Sequence, residues 1–327
     1  MTRPDQSAGG AVASGATADQ WTQSDPWTVL RLILWSADYL SGKGVESGRL
    51  DAEHLLAHVV GVGRLQLYLD FDRPLTPVEL DAFRPLLKRR AAREPLQYII
   101  GFQPFRNLEL KVAPGVLIPR PETEQLVECV LEWIRSMSID TPTVLDIGTG
   151  TGAIALSLAA EASAIVTATD VSDAALGIAG ENRDAAELGD VVAFHEGSLF
   201  EAVPHDADFD VIVSNPPYIS EVDEQVLDPE VRDWEPREAL FAGSDGLDVI
   251  RGLVEGAARH LRSGGLLAIE VGMGQARTVA ALLEAEDGYT SVRIERDHEG
   301  IERFVLAHGA TNKDPASAET ALSTGDA

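Results

Sequence analysis

Two hydrophobic periods divide the chain. Between about residues 25 and 95, apolar positions recur three and four apart, the period of helices that bury one face. Beyond about residue 119, short β-branched runs alternate with helical stretches, as in a βα series that builds a parallel sheet. In the first region, Asp25-Pro26 opens a helix, with Asp25 as N-cap and Pro26 at the first helical position. Leu30, Ile33, Leu34 and Ala37 mark its apolar face. Residues 51–60 form a second helix, with Ala52, Leu55, Leu56 and Val59 on one face and Gly61 as its stop. Thr76-Pro77-Val78-Glu79 reads as a capping box with proline at N1. Leu80, Phe83, Leu86 and Leu87 follow, and Pro85 within them predicts a kink or a break into two short helices.

The pattern changes between residues 96 and 118. Tyr98-Ile99-Ile100-Gly101 and Leu108-Glu109-Leu110-Lys111-Val112 read as strands around a turn holding Gln103-Pro104 and Arg106-Asn107, a hairpin linking two domains. Then Leu117-Ile118-Pro119-Arg120-Pro121-Glu122-Thr123-Glu124 leads into a helix with Leu126, Val127, Val130, Leu131 and Ile134 on one face. Proline-rich helix entries are ordinary, so physics alone gives this one a structural role. Residues 1–24 and 309–327 lack periodicity and are rich in small and polar residues, which predicts disordered tails. The expected organisation is a tail at 1–24, an all-α domain at 25–95, the hairpin linker at 96–118, an α/β domain at 119–308 and a tail at 309–327.

The α/β series opens at residues 143–147, a buried strand that runs into Gly148-Thr149-Gly150-Thr151-Gly152 and a helix over 153–160. A second strand at 164–169 ends on Asp170. Ser172 caps a helix through Ala175, Leu176 and Ala179. A third strand spans 191–194 and a fourth carries Val211-Ile212-Val213. Residues 219–247 form a long acidic loop, a length that predicts a substrate lid. A helix over 247–261, a fifth strand at 266–271 and a terminal antiparallel pair near 291–295 and 302–307 complete the series.

A strand, a glycine loop and a helix form the nucleoside-binding half of a doubly wound fold. Glycines let the backbone turn tightly and approach a ligand, and a carboxylate at Asp170 can accept hydrogen bonds from both ribose hydroxyls. Gly148, Gly150 and Ala153 also satisfy the looser dinucleotide fingerprint, so this stretch alone leaves NAD open.

The fourth strand stops at Asn215-Pro216-Pro217-Tyr218. Prolines donate no ladder hydrogen bond and push the preceding residue out of the helical region, so the backbone here is stiff. Asn-Pro alone is a common turn. Directly after a buried strand, the four residues suit a harder task. An amide or exocyclic amine is a poor nucleophile because its lone pair is delocalised. The Asn215 side-chain carbonyl and the Pro216 main-chain carbonyl could accept its two N–H groups, with Tyr218 as a flat wall. Hydride transfer has no evident use for such acceptors, which moves the reading from NAD to S-adenosylmethionine.

Charge narrows the partners. With 26 Lys+Arg against 53 Asp+Glu in 327 residues, the formal charge is −27, which repels phosphate backbones at long range and attracts basic proteins. Direct nucleic-acid binding is not expected. The Lys88-Arg89-Arg90 and Arg93 cluster reads as a solvated helix face, with RNA or partner docking as the sharper alternative. Cys129 is the single cysteine, so no intrachain disulfide forms. His54 and His58 share a helical face without a third ligand at suitable spacing, and no metal is expected. No apolar run spans a bilayer and the N-terminus lacks a signal sequence, which predicts a soluble cytoplasmic protein without membrane contact.

The span from about 25 to 307 resembles the peptide chain release factor glutamine methyltransferases, the HemK/PrmC family. The resemblance rests on Arg93-Glu94-Pro95-Leu96, 117–124, 146–152, 213–219, 231–236 and Gly246-Leu247-Asp248. It implies a class I S-adenosylmethionine-dependent methyltransferase fold, a Rossmann-like doubly wound α/β sheet with terminal antiparallel strands, behind a small N-terminal all-α domain. It further implies methylation of the glutamine N5 in the Gly-Gly-Gln motif of class 1 release factors. The implied cofactor-binding set is Asp146, Gly148, Thr149, Gly150, Thr151, Gly152, Asp170, Ser198, Leu199 and Asn215. In it the glycines line the methionine side and Asp170 holds the ribose. Asn215, Pro216, Pro217 and Tyr218 would form the catalytic loop around the glutamine amide, with Arg120 and Glu122 helping to dock substrate or shape the cleft. Many relatives carry aspartate where Ser198 stands, so the adenine amine would meet a hydroxyl or main chain, with Leu199 packed on the ring. The alternatives are a ribosomal-protein glutamine methyltransferase, an adenine-N6 methyltransferase, which should carry a basic face, and a non-catalytic binding module.

Overall fold

The computed structural model describes residues 26–310, and the expectations for Asp25 and for both tails beyond those limits fall outside the described residues. The chain divides into two compact units between Ile100 and Gly101.

The first unit is helical: α1 (Val29–Ser41), α2 (Gly48–Val60), α3 (Arg64–Leu69), α4 (Pro77–Ala91) and α5 (Leu96–Ile100). α1 starts at Val29, not Pro26, because the Thr28 hydroxyl accepts the Arg31 N–H and caps it. Its buried face is therefore Val29, Leu32, Ile33, Ser36 and Leu40, and the expected Leu34 is exposed. α2 ends on Gly61 in the left-handed region at φ 73°, as the sequence predicts. The capping box forms in full at Thr76 and Glu79, but α4 continues through Pro85 as one helix instead of breaking in two. Tyr98-Ile99-Ile100 is a helical turn, not a strand: Pro95 opens it, Ile99 N–H donates to the Pro95 carbonyl, and Gly101 at φ 93° ends it. The expected solvated basic cluster holds only in part. Arg90 is buried against Asp51 at 2.6 Å and donates to the Glu94 carbonyl, while Arg89 pairs with the Glu94 carboxylate. Lys88 and Arg89 are exposed, as a solvated face requires, so the departure from expectation is Arg90, whose charge is spent inside the helical unit.

The second unit begins with a hairpin, β1 (Phe102–Phe105) and β2 (Leu108–Lys111), which belongs to this unit and not to a linker. Gln103-Pro104 lie within β1, and the turn is Arg106-Asn107. Arg106 fixes the hairpin by donating to the Glu161 and Glu128 carboxylates and to the Glu124 carbonyl. The chain continues through α6 (Pro121–Met137), β3 (Thr143–Ile147), α7 (Ala153–Ala162), β4 (Ile165–Asp170), α8 (Asp173–Ala185), β5 (Val192–Glu196) and β6 (Phe209–Ser214). After two 3₁₀ turns and α9 (Pro229–Arg232) come α10 (Asp248–His260), β7 (Leu261–Glu270), α11 (Ala276–Ala285), β8 (Tyr289–Arg296) and β9 (Glu302–Gly309).

The strands form one sheet in the order β5-β4-β3-β6-β7-β9-β8. β5 to β7 are parallel, and β9 runs antiparallel between β7 and β8. Alternate residues point to opposite faces. Val144, Val211, Val213, Leu266 and Ala268 pack with α6 and α7, whereas Leu145, Ile147, Ile212, Leu267 and Ile269 pack with α10 and α11. Both faces are covered, so the parallel strands read as nearly continuous apolar runs. The strand order reverses between β3 and β6, and ligands of such sheets sit beyond the carboxyl ends of the strands at that switch.

Candidate active site

The loops at the switch point bound two neighbouring cavities. The first, of about 280 Å³, is lined by Gly148 and Gly150, by Asp170 and Ser172, by Ser198 and Leu199, by Ser214, Pro216 and Pro217, and by Pro236, Glu238 and Asp248 from later loops. The second, of about 210 Å³, is lined by Arg120, Asn215, Pro216, Tyr218, Leu227 and Val231 among others. Leu117, Pro216 and Ala239 line both. Pro216 therefore stands on the boundary between a cofactor-sized space and a smaller acceptor space.

The glycine loop turns through left-handed conformations at Gly148 (φ 74°) and Gly150 (φ 57°), which a side chain would strain. Two carboxylates hold it. Asp146, fully buried, accepts from the Thr149 hydroxyl at 2.7 Å and from the Ala155 N–H at 3.2 Å. Burial pushes its carboxyl up to about 7. Asp170 accepts from the Gly150 N–H at 2.8 Å and the Ser172 N–H at 2.9 Å, and burial raises it as well. Asn182 ties the same loop to β2: its NH2 donates to the Thr151 and Lys111 carbonyls and its oxygen accepts the Lys111 N–H.

Of the sequence-selected residues, Gly148, Gly150, Asp170, Ser198, Leu199, Pro216 and Pro217 meet in the first cavity. Asn215, Pro216, Tyr218 and Arg120 meet in the second. Asp146, Thr149, Thr151 and Gly152 line neither; Asp146 and the two threonines are buried, as scaffolding of the loop. Glu122 also lines neither. Among the charged residues of the first cavity all are acidic: Asp170, Glu238 and Asp248. That lining suits a cationic nucleoside better than the pyrophosphate of a dinucleotide.

Asn215 is held from one edge. Its NH2 donates to the Thr123 hydroxyl at 2.9 Å, and that hydroxyl donates to Glu270 at 2.8 Å. The amide oxygen is the other edge. Tyr218 is pushed up to about 12 by burial, so its phenol stays neutral. Its main-chain carbonyl accepts from the Gln275 amide at 2.9 Å. The long loop at 219–247 is structured: the Ile219 N–H donates to the Leu240 carbonyl, the Ile219 carbonyl accepts the Ala242 N–H, and Glu235 is buried against Arg120. It contributes Pro236, Glu238 and Ala239 to the first cavity and Leu227, Val231 and Leu240 to the second.

Sequence reasoning passed over Thr123, Glu270, Glu235 and Asn182. Only Thr123 and Glu235 carried a signal, since both sit in stretches already singled out at 117–124 and 231–236. Among the described residues, no cluster of three His, Cys, Asp or Glu side chains could hold a metal, and no helix is long and apolar enough to cross a membrane.

Comparison with known proteins agrees with this layout. Residues 31–101 match the PrmC N-terminal domain and residues 123–228 match the methyltransferase small domain. A release factor glutamine methyltransferase of Geobacter sulfurreducens is 46% identical over 280 residues, covering 85% of this chain and 96% of the relative. One from Rhodopirellula baltica is 42% identical over 283 residues, covering 86% and 96%. Among solved structures, the hMettl16 catalytic domain in complex with MAT2A 3′UTR hairpin 6 aligns with a TM-score of 0.51 at 16% identity, covering 70% of this chain and 83% of that one. At that identity the likeness concerns the fold.

Proposed function

The chain belongs to the release factor glutamine methyltransferase family, and from that premise we propose that it methylates N5 of the glutamine in the Gly-Gly-Gln motif of class 1 release factors, with S-adenosylmethionine as methyl donor. The carrying observation is the pair of cavities that share Pro216, one acidic and glycine-lined, the other holding the Asn215 amide.

The residues of the first cavity fit the donor. Gly148 and Gly150 leave room at the loop, Asp170 can accept from the ribose, and Ser198 and Leu199 offer a hydroxyl and an apolar surface for the base. Bound there, the donor supplies a methyl group on a positively charged sulfur, open to in-line attack by nitrogen. The chain's own part is positioning. The Asn215 oxygen and the Pro216 carbonyl take the two N–H groups of the substrate amide, fixing the nitrogen while Tyr218 bounds the plane. The neutral phenol of Tyr218 is unsuited to serve as a base. None is required before transfer, because the nitrogen becomes acidic once the N–C bond has formed and then loses its proton. The helical first unit and Arg120 would dock the release factor, and the loop at 219–247 would keep water from the reacting groups. The formal charge of −27 supports a protein substrate over a nucleic acid, and the bacterial relatives named for release factors support a place in the cytoplasm beside the translation machinery.

The test offers the purified chain a class 1 release factor, a ribosomal protein and an adenine-containing oligonucleotide with labelled S-adenosylmethionine. Label on the Gly-Gly-Gln glutamine is the expected result. Label on the oligonucleotide, or on the ribosomal protein alone, would overturn the reading.

A further inference from the structure

Two buried side chains touch neither cavity yet end on the amide that faces one of them. Thr123 lies in the first turn of α6 and Glu270 at the carboxyl end of β7. Both are nearly inaccessible, and with Asn215 they form a chain of hydrogen bonds across three separate elements. A threonine hydroxyl has one proton. Because Glu270 receives it, Thr123 faces Asn215 with a lone pair, and only the NH2 edge of an amide can meet a lone pair. The carbonyl edge is then obliged to face the other way.

We propose that Glu270, acting through Thr123, sets the orientation of the Asn215 amide and so keeps its oxygen, not its NH2, available to the substrate nitrogen. Thr123 and Glu270 are positioning residues in this scheme, which rests on the reading of Asn215 as the group that holds the substrate amide. An inverted Asn215 would present N–H groups to N–H groups, repelling the substrate it should fix.

The relay has a direction only while Glu270 is ionised. Burial raises its carboxyl to about 7, against the opposing pull of Arg303 and Arg120; Glu122 adds to the rise, and Tyr218 faces it as a neutral phenol. Once protonated, Glu270 can donate to Thr123, whose own proton is freed to turn toward Asn215. Turnover therefore falls as pH drops through about 7.

Single-turnover methylation of a class 1 release factor at saturating S-adenosylmethionine tests the relay in the full chain. Thr123→Val should slow transfer roughly 10²-fold while leaving the dissociation constant for S-adenosylmethionine unchanged. Thr123→Ser, which keeps the hydroxyl, should recover most of the rate. Glu270→Gln should slow transfer and abolish the acid limb of the pH profile. Wild-type turnover in Thr123→Val, or a serine variant as slow as the valine one, overturns the proposal. A readout without turnover separates it from the substrate assignment. The 15N-labelled side-chain amide of Asn215, assigned by its loss in Asn215→Asp, should titrate near pH 7 in the parent chain and stay flat in Glu270→Gln. A flat signal in the parent chain sinks the relay. A titrating signal in a chain that methylates no release factor upholds the relay and overturns the substrate.

Discussion

Asp170 receives the main-chain N–H of Gly150 at 2.8 Å. The acidic residue that closes the second strand of the βα series thus also braces the glycine loop built after the first. Its other oxygen takes the Ser172 N–H at the entry to α8, so one side chain joins both turns that border the first cavity. Replacing it by alanine removes a ribose acceptor and loosens the loop together. Charge-assisted hydrogen bonds contribute about 1.5–3 kcal/mol each, so Asp170→Ala should weaken S-adenosylmethionine binding by roughly one to two orders of magnitude. Asp170→Asn, which keeps an acceptor but loses the charge, should fall between. Calorimetric titration decides this, and an unchanged affinity would remove Asp170 from the site.

Asn215 bears on transfer rather than on the donor. Loss of a single preorganised polar contact to a reacting group costs roughly 10²–10³ in rate in other enzymes. Asn215→Ala should lie in that range in a single-turnover assay, with the affinity for S-adenosylmethionine nearly intact. A variant that turns over at the parent rate would strip the loop of its assigned role.

Gly246 packs against the same loop from behind. Its φ is 74°, and an added Cβ would fall 2.2 Å from the Tyr218 carbonyl oxygen. Gly274 also has a positive φ, 87°, but has open space around it. The pair separates backbone strain from collision. Gly274→Ala should cost about 1 kcal/mol or somewhat more in stability from strain alone. Gly246→Ala should cost more, and should also slow methyl transfer by displacing the main chain at Tyr218. Parallel melting curves and turnover measurements check both claims, and equal behaviour of the two variants would refute the second.

The parts legible in the sequence were those set by short-range rules. Short, nearly continuous β-branched runs placed β3, β4 and β6, and the glycine loop and Asn215-Pro216-Pro217-Tyr218 followed from strand ends. The misread stretches turned on a local helical turn in one case and on partners distant in sequence in the others. Ile99-Ile100 look like strand residues, but Pro95 starts a helical turn there. Arg90 looks like a surface cation, yet its partner Asp51 is 39 residues away. Thr123 and Glu270 are 147 residues apart, and neither spacing nor composition could join them. α11, with a regular apolar face, lies between the fifth strand and the terminal pair and was not among the expected elements.

Asp146 links the loop to pH. Its carboxyl is wholly buried, one oxygen bonds Thr149 and Ala155, and the other has no protein partner. Burial raises it from an ordinary 3.8 to about 7 in the folded chain. A raised carboxyl means that the folded state binds the proton more tightly than the unfolded state. The stabilisation from that proton is complete below about 4, the unfolded value, and is lost as pH climbs through about 7. Glu270 acts with the same sign over nearly the same window, while depressed carboxyls such as Asp210 and Glu79 act oppositely at lower pH. The difference between the parent chain and Asp146→Asn isolates one group from this background. The asparagine keeps an acceptor for Thr149 and carries no charge. Its melting temperature should therefore fall less steeply than that of the parent between pH 4 and 8, and Asp146→Asn/Glu270→Gln should flatten the slope further. Parallel melting curves for Asp146→Asn and the parent across that range would show that Asp146 remains ionised in the folded chain, with the buried charge held by something other than its two visible hydrogen bonds.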